Sequence, residues 1–146
     1  VTDRFAKNAD AVSPAQARWF TRLTGIAAMA IIAQAAIAGE FNSHPGNAGW
    51  VLAHGLVSYV TLAATLAAAV FTLAQFRRTQ QTVTILATGL FGLTVAQTII
   101  GYLITVAGAN ILLVVHIPLA FVIFGLAGWL AVKAVAINGT KRRFRD

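Results

Sequence analysis

The chain has 146 residues, of which 58% are hydrophobic and 10% charged, and a net charge of +7; this is too apolar for an ordinary soluble domain. It contains no cysteine, which excludes disulfides, thiolate metal sites and iron–sulfur clusters. The positive charge does not point to nucleic acid, because all 11 Lys and Arg residues lie in three groups outside long uncharged runs.

No Asp, Glu, Lys or Arg occurs between Arg22 and Glu40, between Glu40 and Arg77, or between Arg78 and Lys133. A helix needs about 20 apolar residues to cross a bilayer core, so the gaps hold one, one and two spans. The expected fold is all-α, an integral membrane four-helix bundle of antiparallel, up-down topology. Residues 1–12 read as a polar tail, 13–137 as the bundle and 138–146 as a basic tail. The first apolar run starts about twenty residues in and is followed by no small-residue cleavage site, so it reads as a membrane helix and not as a cleavable signal.

The first helix is expected over about 14–39. Ser13 can cap it, Pro14 suits the first helical position, and Gln16 completes a capping box. Trp19 and Phe20 sit at its entry to the membrane. Residues 40–49 are dense in turn formers, and Trp50 belongs at the opposite interface. The second helix covers about 49–76 and stops at Arg77-Arg78. The third covers about 80–107, with Gly108 as its C-cap. The fourth covers about 110–137, with Asn110 as its cap, ahead of Asn138-Gly139. Short connections make consecutive helices neighbours.

Arg4, Lys7, Arg18 and Arg22 precede the first helix, Arg77 and Arg78 join the second to the third, and Lys133, Lys141, Arg142, Arg143 and Arg145 close the fourth. The connections around 40–49 and 107–110 hold none. The positive-inside rule therefore puts both termini in the cytoplasm, where the basic residues meet anionic headgroups. Abundant alanine, and Arg in preference to Lys, point to a bacterial cytoplasmic (inner) membrane.

The chain reads as two copies of one hairpin. Gln34 lies 20 residues before His54, and Gln97 lies 19 before His116. Each His is about five residues inside its helix, roughly 8 Å deep, so the two stand at one level on parallel helices. An imidazole at that depth faces the bundle interior with a partner, and the bland alternative is a hydrogen bond between helices. With no third ligand nearby a closed zinc site is poorly supported. A haem brings four nitrogens and needs only two axial ligands. Gly55, Ser58, Thr61 and Thr65 on the His54 stripe, and Ala120, Gly125 and Gly128 beyond His116, offer space or hydroxyls; small residues also serve helix packing. His44, in the outer loop, reads as exposed and functionally silent.

The segment Gln97-Thr-Ile-Ile-Gly-Tyr-Leu-Ile-Thr-Val-Ala-Gly108, followed by His116, Ala120, Phe124 and Trp129-Leu130, resembles a half-module of the haem A synthase family; Gln34, Gly39 and His54 look like a looser copy. The resemblance covers roughly residues 20–132. It implies a bundle whose second and fourth helices hold a haem through His54 and His116. Enzymes of that family carry an acidic residue shortly before the first histidine, where this chain has Val51-Leu52-Ala53, and many have an outer cysteine pair that is absent here. The expected function is therefore binding of haem b by two histidines, low-spin, for electron transfer near the outer face, with quinone or a larger respiratory complex as partner. Gly55, Ser58 and Ala120 are the expected walls. Two alternatives stand beside it: a half-length haem A synthase-like enzyme acting as a homodimer, and a cofactor-free accessory subunit of a larger membrane complex.

Overall fold

A computed structural model describes residues 12–44 and 46–143. The tail expected over 1–12 lies almost wholly outside that range. Four long helices make up the chain: α1 (Pro14–Ser43), α2 (Ala48–Gln75), α3 (Gln81–Ala107) and α4 (Leu113–Arg143), with a short 3-10 turn at Asn110–Leu112 leading into α4. Their apolar stretches run 27, 28, 27 and 30 residues. At 1.5 Å per residue each is about 40 Å long, enough to cross the hydrocarbon core and project beyond it. Apolar side chains such as Met29, Leu56, Ile85 and Phe121 stand exposed along all four helices. In water such surfaces would aggregate, whereas lipid tails cover them without cost. This is a multi-pass membrane protein.

Local chemistry sets the helix ends. Ser13 Oγ accepts from the Gln16 N–H at 3.2 Å and Gln16 Oε1 accepts from the Ser13 N–H at 2.7 Å, which satisfies two donors at the start of α1. The Asn47 side chain accepts from the Gly49 N–H and caps α2. Gly108 ends α3 in the left-handed region, φ 68°, where a side chain would be strained.

Three boundaries differ from the sequence reading. Helix α1 continues past Gly39 to Ser43, because Ser43 Oγ bonds the Gly39 carbonyl and the His44 N–H bonds the Glu40 carbonyl. Asn110 does not cap α4; it begins the 3-10 turn, whose own cap, Ala109, makes no side-chain bond. Asn138-Gly139 does not stop α4, which runs on to Arg143.

Each helix packs on two neighbours, α1 on α2 and α4, and α3 on α2 and α4, while α2 and α4 share no backbone contact across the middle. Gln16 Nε2, at the start of α1, donates to Gln75 Oε1 at the end of α2. Fully buried side chains gather in one half of the bundle. Phe20, Ile31, Phe76, Val83, Leu90, Ile123 and Leu130 form one apolar cluster, with Phe76 edge-on to both Phe20 and Phe71. Threonines 24, 61, 65, 72, 84 and 94 are buried among them. Their hydroxyls turn back onto helix carbonyls, the usual way to take a polar group into an apolar medium. In the other half, across 32–60 and 95–122, no described residue is buried to that degree.

Candidate functional site

The polar side chains of the open half come from both hairpins. Gln34 on α1 donates its amide to the His54 carbonyl on α2 at 3.1 Å. Gln97 on α3 donates to the His116 carbonyl on α4 at 3.0 Å. The same residue pair thus makes the same bond in each hairpin, at the spacing that marks the internal repeat. A backbone carbonyl on the neighbouring helix can take a second hydrogen bond, and the glutamine avoids leaving its amide N–H groups bare in lipid.

The two rings are held differently. Gln34 Nε2 also stands 3.0 Å from His54 Nε2. Because the amide nitrogen donates, His54 Nε2 accepts, which assigns the ring proton to Nδ1. His116 instead points the Cε1 edge of its ring at α3: a Cβ built on Gly101 would come within 3.2 Å of Cε1 and 3.9 Å of each ring nitrogen. Glycine at that position lets the ring approach closely; a side chain there would require the ring to shift by a few tenths of an ångström. Among the described residues, the buried polar atoms without a hydrogen-bond partner include Gln34 Oε1, Gln97 Oε1 and His116 Nδ1 in this half, and Thr79 Oγ1 at the other end of the bundle. A further local feature is Pro118, inside α4 two residues past His116; lacking an N–H, it leaves the Val114 carbonyl without its helical donor.

His54 and His116 sit on the diagonal helices α2 and α4. Gly55 leaves open space where a Cβ would stand. Ser58 does not offer its hydroxyl, which bonds the Gly55 carbonyl at 2.6 Å. Thr61 and Thr65 belong to the packed half. Ala120 is exposed on the flank of α4, and Gly125 and Gly128 face open space, so neither glycine is a close-packing device within this chain. His44 is exposed and pairs with Glu40 one turn earlier, at 3.4 Å. Tyr102 is also exposed.

Sequence reading singled out both histidines and both glutamines but not Gly101, which stood unmarked inside the quoted glutamine–glycine segment. Its signal was position: one turn after Gln97, on the helix that faces His116.

Among the described residues no three His, Cys, Asp or Glu side chains cluster as a metal site, so the protein itself can offer two imidazoles. That donor set fits a haem, which supplies the remaining nitrogens. The loosely filled half also fits, and so do orphaned polar atoms beside the rings. One feature opposes it: His54 Nε2 is held by Gln34, and ligation through that nitrogen requires the amide to give it up. The chain matches no protein family, no curated protein and no solved structure.

Proposed function

We propose that this chain is a cytochrome-like protein of a bacterial cytoplasmic membrane that binds haem b through His54 and His116. The observation that carries the reading is the repeated glutamine–histidine pair, whose histidines stand on diagonal helices in the half of the bundle where side chains leave room. Held there by His54 and His116, haem b would supply one-electron redox chemistry, and a site of two imidazole donors would suit electron transfer better than chemistry on a substrate. Gln34 and Gln97 fix the helix segments that carry the histidines, Gly101 makes room for the His116 ring, and the apolar half above excludes water.

The Gln16–Gln75 and Gln34–His54 bonds support an antiparallel, up-down order. The placement of all basic residues supports cytoplasmic termini and a site near the outer face. Quinone or a neighbouring redox subunit is the electron partner in this reading. Kinship with a half-module of the haem A synthase family is part of the proposal and rests on the repeat.

The rival is a cofactor-free accessory subunit, favoured by the Gln34–His54 ring contact, which already occupies a ring nitrogen. Pyridine extraction of detergent-purified protein, made with ample haem, separates the readings. One b-type haem per chain is expected. A modified haem would favour the half-length synthase dimer, and colourless protein copurifying with larger partners would favour the accessory subunit.

A further inference from the structure

On the face formed by the end of α2 and the start of α3 lies an open groove of about 410 Å³. Arg77 and Gln81 stand at one end of it. Leu73, Ile85 and Gly89 line the length below. Eight residues separate Gln81 from Gly89, about 12 Å along the helix. The hydroxyls of the two threonines on its wall are already engaged: Thr84 Oγ1 bonds the Gln80 and Thr72 carbonyls and Thr88 Oγ1 bonds the Thr84 carbonyl. Gly89 has open space where a side chain would stand, which keeps the lower end of the groove clear.

The groove is therefore cationic at the membrane surface and apolar toward the bilayer interior. Among the described residues the only acidic side chain is Glu40, which pairs with His44 at the far end of α1. No described carboxylate pairs with Arg77. We infer that the groove binds one anionic phospholipid, with the phosphate headgroup at Arg77 and Gln81 and an acyl chain laid along Leu73, Ile85 and Gly89. Neighbouring Arg78 does not line the groove and contributes only to the general surface charge. The inference does not depend on haem binding.

Native mass spectrometry of the full chain in detergent, titrated with phosphatidylglycerol and with phosphatidylcholine, tests it. Wild type binds one phosphatidylglycerol about fivefold more tightly than phosphatidylcholine, the effect of roughly one basic residue at a membrane surface. Arg77→Gln removes that preference, whereas Arg78→Gln retains it. Gly89→Leu fills the groove and weakens both lipids, with helix content by circular dichroism unchanged. Equal binding of the two lipids by wild type overturns the inference, as does an Arg78→Gln effect equal to that of Arg77→Gln. Displacement of the lipid by millimolar inorganic phosphate also overturns it, since that outcome describes an anion site with no acyl component.

Discussion

At the end of the bundle holding Phe20, Phe76 and Leu130, side chains interlock until 1% or less of each is exposed, whereas at the end holding His54 and His116 no described residue is buried to that class. Both halves are built of the same apolar, Ala- and Gly-rich helices. They differ in what holds the helices together. The packed half uses large rings and branched chains, with most threonines bonded to their own helices and Thr21 and Thr84 also reaching carbonyls of a neighbouring helix. The open half uses two glutamine amides, each reaching across to a carbonyl next to a histidine. Dispersion between close-packed side chains stabilises a membrane bundle, so the first half holds the fold and the second is free to be shaped around something else.

Substitutions can break this comparison. The largest expected effect is Phe76→Ala, which leaves a cavity among Phe20 and Phe71 and costs about 3–5 kcal/mol. Phe121→Ala, at an exposed position in the open half, changes stability by no more than about 0.5 kcal/mol. Unfolding in mixed detergent, followed by circular dichroism, reads both; equal losses would erase the distinction between the halves. Next comes Gly101→Val, which overpacks against the His116 ring and costs about 1–3 kcal/mol, while Gly55→Val, with open space around it, leaves the same transition within about 0.5 kcal/mol. The smallest effects belong to the glutamines. Gln97→Leu loses one hydrogen bond between helices, worth about 0.6 kcal/mol. Gln34→Leu loses the matching bond and the contact with the His54 ring, and so exceeds it by roughly a factor of two. A reversed order of the two would show that the ring contact contributes nothing.

The four spans were legible because charge is so costly in hydrocarbon that its absence marks each helix. Ser13, Gln16 and Gly108 carried their cap signals locally, and the structure uses all three. Asn110 and Asn138-Gly139 carried equally good local signals that the structure does not use, because α4 starts through a 3-10 turn and continues beyond the apolar run. For the site, spacing found Gln34, His54, Gln97 and His116, since a repeat is a property of the sequence alone. Hydroxyl direction and close approach are not. Ser58 is turned to its own helix, Ala120 is exposed and Gly101 carries the ring, and each depends on which helix stands opposite.

The most direct test is a reduced-minus-oxidised absorption spectrum of the purified wild type beside His54→Ala and His116→Ala, all made with ample haem. The account predicts low-spin b-type bands in wild type and their loss in both variants, with helix content preserved because neither residue belongs to the packed half. Unchanged bands in both variants, or a wild type that takes up no haem, would contradict it.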